Sequence, residues 1–166
     1  MHKGEIFYLN ITERFIVEKV AEARQKNKEN TKWNGHRTVA EKSSVELNVA
    51  GFGAEFIFCR EMNIFPDFEI KNTSKVKGTD LYDAIWKGYT IDVKVNRNPN
   101  NPLMIPEYAK SNCDLFVLFS CKYPKYRFEG FATNKMIFNK NNIRMTRVSA
   151  YVLEKIKLLS IKDLNI

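Results

Sequence analysis

Histidine and cysteine are scarce in this chain. Its 166 residues include two histidines, His2 and His36, and three cysteines, Cys59, Cys113 and Cys121, with no Cys-x-x-Cys pair among them. So few ligands, so far apart, exclude a zinc cluster built from histidine and cysteine, and they exclude a Ser-His-Asp site. Three thiols that cannot all pair within the chain are typical of a reducing compartment.

Long apolar runs are also missing. The longest, residues 115–119, has five residues, whereas a helix that crosses a bilayer needs about 20. The first residues lack the apolar stretch of a signal peptide. We therefore expect a cytoplasmic protein with no membrane partner.

Positive charge is present in excess and is unevenly distributed. The formal net charge is +8. Residues 94–147 carry ten Lys and Arg against three Asp and Glu, whereas residues 43–93 carry five against eight. A basic surplus favours a polyanionic partner, most often nucleic acid. A solvated basic surface without a partner remains an equal alternative at this point.

The pattern of apolar and turn residues predicts one α/β or α+β domain. Helices are expected at residues 10–26, from 43 to about 62 and from 149 to about 164, and a helical turn is expected at 134–138. Strands are expected at residues 68–71, 81–86, 89–95, 114–120 and 128–132, and loops at 27–42 and 96–112. Lys87-Gly88, between two of these strands, is a good hairpin signal.

The hairpin carries the residues with chemical potential. If Lys87 and Gly88 are the two loop residues, Asp83 lies opposite Asp92, and Lys94 lies on the same face as Asp92. Two opposed carboxylates repel by up to about 1 kcal/mol at an exposed site. A divalent cation between them would remove this repulsion. An exposed polar face with Lys94 as counter-ion remains the alternative.

At this point the sequence resembles the PD-(D/E)XK nuclease superfamily. Its signature is an acidic residue on one strand, followed across a hairpin by Asp/Glu-x-Lys, as in Asp83 and Asp92-Val-Lys94. The hairpin is similar to that of small phage and bacterial nucleases. Upstream, Gly-Ala-Glu55-Phe resembles a glutamate-bearing helix of the family; downstream, Asp-Leu-Phe-Val-Leu at 114–118 and Gly-Phe-Ala-Thr at 130–133 resemble later segments. The likeness covers roughly residues 45–138.

This resemblance implies a restriction-endonuclease-like fold, in which a mixed central sheet is flanked by helices. The nuclease domain would span residues 1–166, with a helix and polar loop (1–42) and a C-terminal helix (149–164) as additions. It also implies an endonuclease that hydrolyses DNA with Mg²⁺, or with Mn²⁺ in its place, and leaves a 5′-phosphate. A homodimer is compatible with this family.

The resemblance also implies roles for individual residues. Asp83, Asp92 and the backbone carbonyl of Val93 would bind Mg²⁺, Glu55 would bind a second metal or orient water, and Lys94 would position the attacking water. Asp80 is an alternative to Asp83, because a bulge in the hairpin would turn it toward the site.

Several basic residues are candidates for contact with DNA phosphates: Arg37, Lys75, Lys77, Arg97 and Lys110. Two other functions remain open. One is a nucleic-acid-binding module of the same fold without catalysis, and the other is a basic phage or host interaction protein. Neither would require metal binding by the hairpin.

Overall fold

The structure, a computed structural model, describes the backbone of residues 1–30, 41–70 and 82–163 and the side chains of residues 1–27, 45–70 and 82–163. Its helices are α1 (Ile11–Asn30), α2 (Glu41–Glu61) and the short α3 (Asn134–Ile137). Its strands are β1 (Ile6–Tyr8), β2 (Ala84–Trp86), β3 (Tyr89–Asn96), β4 (Leu103–Pro106), β5 (Leu115–Lys122), β6 (Lys125–Thr133), β7 (Ile143–Met145) and β8 (Ser149–Leu153).

Five of the strands form one sheet, the large sheet, in the order β1-β6-β5-β3-β2. Strands β3 and β5 run parallel, and the other neighbouring pairs run antiparallel. The chain is therefore an α+β domain with a mixed sheet, in agreement with the fold class expected from the sequence.

Helices α1 and α2 cover one face of the large sheet. Asn10 starts α1 with a reciprocal cap, in which Asn10 Oδ1 accepts from the Glu13 N–H at 2.9 Å and Glu13 Oε2 accepts from the Asn10 N–H at 2.8 Å. The two helices and the sheet share a core that includes Val17, Phe52, Ile57, Phe58, Ile91, Val93, Val117 and Phe119. The aromatic residues of α2 thus belong mainly to this core.

The other face of the large sheet is covered by a second sheet, the small sheet, in the order β4-β8-β7. The core between the two sheets includes Leu103, Ile105, Phe116, Leu118, Ala132 and Leu153. The resemblance implied a central sheet flanked by helices; in the described residues the long helices pack on one face and the small sheet covers the other. Asp92 and Lys94 point to the small-sheet face, because their register partners on β5 are Phe116 and Leu118.

The predicted C-terminal helix at residues 149–164 is wrong. Residues 149–153 form β8, which pairs with β4 and β7, and short 3₁₀ turns follow at Lys155–Lys157 and Ile161–Asp163. The spacing of Val152, Ile156 and Leu159 imitates a helix, but Ile156 is 86% exposed. Burial of Ala150 and Val152 follows the two-residue period of a strand instead.

Two smaller expectations also differ from the structure. The predicted loop at 96–112 contains β4, and the alternating burial of Leu103 and Ile105 gives this short strand its inner face. The predicted strand at 68–71 is absent over residues 68–70, and Lys71 lies outside the described residues. Most of the predicted polar loop at 27–42 also lies outside them, and α1 continues to Asn30.

Candidate active site

The β2–β3 hairpin has the two-residue connection that the sequence predicted. Lys87 and Gly88 both have positive φ, 49° and 84°, as the tightest hairpin turns require. Trp86 pairs with Tyr89 and Ala84 pairs with Ile91. Asp83 directly precedes Ala84, the first residue of β2. Its position along the hairpin corresponds to that of Asp92 on β3.

Asp83 is attached to β3 through both its backbone and its side chain. Its N–H donates to the Ile91 carbonyl at 2.8 Å, and its Oδ2 accepts from the Val93 N–H at 2.6 Å. Burial raises the pKa of the Asp83 carboxyl well above its usual range. The negative charges of Glu55 and Asp92 raise this pKa further, while the Val93 N–H and Lys94 oppose the rise.

Asp92 and Lys94 form an ion pair on the same face of β3. Lys94 Nζ lies 2.5 Å from Asp92 Oδ1. The Asp92 side chain is 11% exposed, whereas the Lys94 side chain is 40% exposed. Burial lowers the pKa of Lys94, but the charge and hydrogen bond of Asp92 outweigh it, with help from Asp83, and the net pKa lies above its ordinary value. Lys94 therefore stays protonated and holds positive charge beside two carboxylates.

Glu55, on α2, contributes negative charge to the same region. It acts electrostatically on Asp83, and together with Asp83 it contributes to raising the pKa of the buried Cys59 to about 12, behind the effect of burial itself. Arg24 of α1 lies 3.3 Å from Glu55 Oε2, and both side chains are about one-fifth exposed. Glu55 is thus not a solvated helix glutamate; it lies between Arg24 and the hairpin site.

Arg24 ties the segment after α2 to this region. Its guanidinium donates to the Asp67 carbonyl at 2.8 Å and to the Glu69 carbonyl at 3.3 Å, and it lies 4.5 Å from the centre of the Phe52 ring. The Pro66-Asp67 pair is therefore part of an irregular segment held against α1, and the Asp67 carbonyl is bound to Arg24.

The oxygen donors of the site fit a hard divalent cation, because carboxylates and carbonyls are the ligands that Mg²⁺ prefers. As placed, however, Asp83 Oδ2 accepts from Val93 and Asp92 Oδ1 contacts Lys94. Among residues 1–30, 41–70 and 82–163, no group of three or more Asp, Glu, His or Cys side chains is arranged to hold a metal. Asp83, Asp92 and Glu55 would have to converge further to bind one.

Of the residues predicted to contact DNA, two lie in the described part of the chain. Arg97 follows the end of β3 and forms an exposed ion pair with Glu46 at 3.1 Å. Lys110 lies near the small sheet, 5.0 Å from the Phe138 ring. Arg37, Lys75, Lys77 and Asp80 lie outside the described residues.

The sequence did not single out Cys113 as a neighbour of the site. This buried thiol precedes β5, and its pKa is raised, mainly by burial, with contributions from Asp92 and Asp83. Its proximity arises from the parallel pairing of β5 with β3, which no local pattern specifies. Sequence reasoning also missed the basic residues at the opposite end of β5, Lys122, Lys125 and Arg127.

No helix in the described part of the chain is long and apolar enough to cross a membrane. Comparison of the chain with protein-family models, with curated proteins and with solved structures found no match.

Proposed function

We propose that the chain is a Mg²⁺-dependent deoxyribonuclease of the PD-(D/E)XK type, with a restriction-endonuclease-like fold. The observation that carries the proposal is the placement of Asp83 beside Asp92 and Lys94 through the hydrogen bond to Val93. Two neighbouring carboxyl groups share one lysine here, and placing them together disfavours ionisation of Asp83. Metal-dependent phosphodiester cleavage gives these residues a common purpose.

Each residue has a distinct role in this proposal. Asp83 and Asp92 would hold Mg²⁺, with the carbonyl of Val93 as a further oxygen ligand and Glu55 at a second position. Bound Mg²⁺ supplies charge neutralisation at the phosphate and a more acidic water. Lys94, held protonated by Asp92, would orient the attacking water and offset charge at the scissile phosphate.

The arrangement of elements supports the same proposal. The glutamate-bearing helix α2 packs beside β3, and β5, which follows the hairpin in sequence, pairs directly with β3. The basic surplus of residues 94–147 is suited to a nucleic-acid substrate. A homodimer would let two such sites act on both strands of a duplex.

A specific observation favours one alternative, a nucleic-acid-binding module without catalysis. Lys94 already compensates Asp92, so this part of the site is electrostatically satisfied without a metal. Such a module would bind DNA in EDTA and would leave the DNA intact when Mg²⁺ is added.

The deciding experiment incubates the protein with supercoiled, linear, branched and single-stranded DNA in Mg²⁺, Mn²⁺ or EDTA. We expect cleavage with either metal, no cleavage in EDTA, and no cleavage by the Asp92→Asn variant. Cleavage that persists in this variant would show a contaminating nuclease. Binding by the wild type without cleavage in either metal would favour the non-catalytic module, and an absence of both would favour a basic interaction protein.

A further inference from the structure

A basic cleft of about 410 Å³ lies at the carboxyl ends of β3 and β5. Its charged lining consists of Arg97, Lys122, Lys125 and Arg127, and among the residues that the structure describes no acidic side chain lines it. In the register of the large sheet, Asn96 pairs with Ser120, and Ser120 pairs with Arg127. Since side chains alternate along β3, the cleft lies on the same face of the large sheet as Asp92 and Lys94.

The positive charges in the cleft repel one another. Lys122 and Lys125 are direct register partners where β5 turns into β6, and like charges directly opposite in a sheet are destabilising. Both are exposed, as is Arg127. Within the described residues, none of these three forms an ion pair, although Arg97 is bound to Glu46. An anion in the cleft would remove the repulsion.

A buried carboxylate on β6, Glu129, is paired with a lysine that does not line the cleft. Glu129 is buried, accepts from Ser120 Oγ at 2.6 Å and lies 2.9 Å from Lys155 Nζ. Arg127 acts on it electrostatically without forming a salt bridge. Glu129 therefore balances Lys155 beneath the cleft and leaves the surface positive.

An exposed aromatic side chain adjoins the basic groups. Tyr8 pairs with Lys125 in the sheet and is 58% exposed, and Lys125 Nζ lies 6.0 Å from the centre of its ring. Basic side chains next to an exposed aromatic ring are the combination that binds nucleic-acid strands, in which phosphates meet the cations and a base stacks on the ring. This favours nucleic acid over an acidic protein.

We propose that this basic cleft binds the phosphate backbone of a nucleic-acid strand at a fixed distance from the hairpin site. From Asp92 to Asn96 the strand rises by about 13 Å, which corresponds to about four nucleotides of one strand along a duplex axis. The segment 97–102 folds back on the end of β3, where the Asn96 side chain donates to the carbonyls of Asn101 and Pro102, and its residues Arg97 and Pro99 line the cleft. That the held strand is also cleaved rests on the proposed function; the binding itself does not.

The test measures binding of a short DNA duplex and of the matching single strand in EDTA, where no cleavage interferes. The cleft variant is Lys122→Ala, Lys125→Ala and Arg127→Ala combined. The control variant is Lys135→Ala, Lys140→Ala and Arg147→Ala combined, which removes the same charge from exposed positions elsewhere. For the duplex, we expect the cleft variant to lower the slope of log affinity against log salt by about 2 to 3 and the control by less than about 1.

Equal losses in the two variants would overturn the cleft, because only net charge would then matter. Binding of the wild type to phosphatidylserine vesicles but not to DNA would overturn it in favour of a membrane surface. If the triple variant folds poorly by circular dichroism, Lys125→Gln alone must still reduce the salt slope relative to Lys140→Gln. If the wild type fails to cleave DNA while the difference in slope persists, the nuclease proposal fails and the cleft stands.

Discussion

The Val93 N–H donates to Asp83 Oδ2 at 2.6 Å, and this bond places the Asp83 carboxylate over the strand that carries Asp92 and Lys94. In the described residues, regular pairing between β2 and β3 begins at Ala84, and Asp83 lies just before it. The side chain of Asp83 therefore takes over a hydrogen bond of β3 at the point where β2 departs. One carboxylate thus serves both as a strand partner and as a candidate metal ligand.

Removal of the Lys94 charge should strongly reduce cleavage and leave DNA binding almost unchanged. We expect Lys94→Met to reduce the cleavage rate by about 100-fold or more, the scale observed when an electrostatic stabiliser of a transition state is removed. DNA affinity in EDTA should change less than about threefold, because binding depends on basic groups elsewhere. The control is Lys19→Met, which removes a lysine paired with Glu22 on the surface of α1. Parallel loss of binding and cleavage in Lys94→Met would contradict the catalytic role.

The contribution of Asp83 to the stability of the metal-free protein should decrease as the pH rises. The folded-state pKa of Asp83 is raised, so the folded state binds this proton more tightly than the unfolded state. Its contribution is fully present below the ordinary aspartate pKa and is lost as the pH rises through the raised value. We expect Asp83→Asn to melt at a higher temperature than the wild type in EDTA at pH 8, with a smaller difference at acidic pH. Thermal melts from acidic to basic pH, with exposed Glu107→Gln as control, measure this.

Glu55 should affect turnover more than stability. Glu55→Gln keeps a hydrogen-bonding group near Arg24 but removes a negative charge that acts on Asp83. We expect a cleavage rate at least about 10-fold lower and a change in unfolding free energy of less than about 1.5 kcal/mol. Arg24→Gln breaks the same ion pair without removing a candidate ligand. If the two variants lose activity and stability to the same extent, Glu55 has a structural role only.

The Glu129–Lys155 pair should contribute strongly to stability. Both side chains are largely buried, at 7% and 20% exposed, so Glu129→Gln leaves a buried ammonium and should cost about 3 kcal/mol. Burial raises the pKa of Glu129, but Ser120 and Lys155 outweigh it and the pKa lies below its usual value. The stabilisation is therefore present above the ordinary glutamate pKa and is lost as the pH falls through the lowered one. Urea unfolding at pH 7 checks this, with Glu154→Gln of the exposed Arg144–Glu154 pair expected within about 0.5 kcal/mol of wild type.

Two glycines should respond to alanine in opposite ways. Gly130 has a φ of +127°, and an added Cβ would lie 2.8 Å from Leu158 Cβ and from the Leu159 carbonyl oxygen. We expect Gly130→Ala to cost about 2 kcal/mol or more. Gly51 lies within α2, where an added Cβ meets nothing within 4 Å, so Gly51→Ala should stabilise by about 0.5–1 kcal/mol. Chemical denaturation of both variants decides this, and a destabilising Gly51→Ala would be unexpected.

What the sequence could predict was local. The hairpin turn, its register and the shared face of Asp92 and Lys94 depend on a dozen consecutive residues and on the alternation of side chains in a strand. The helix that carries Glu55 was predictable for a similar reason. The nuclease assignment itself stays a prediction, since it depends on a resemblance that the fold class alone does not test.

What the sequence could not predict depends on distant pairing. Residues 149–153 form a strand because β4 and β7 lie on either side of them in the small sheet. Strand β4 lies more than 40 residues upstream, whereas β7 lies within ten residues. Prolines at 102 and 106 are typical of loops, so the sequence predicted a loop where β4 forms. The basic cleft also joins groups from β3, β5 and β6, so no single stretch of sequence displays it.

The position of β1 in the large sheet has a consequence for the order in which the protein is completed. Ile6 pairs with Arg127, so β1 has no partner in the large sheet until β6 has been made. The hairpin, by contrast, closes between residues a few positions apart. Contacts between sequence-distant segments form slowly because a long loop must be closed first. A growing chain would therefore contain its hairpin carboxylates before the surface around Arg127, and β1 would join the sheet only after β6 has been made.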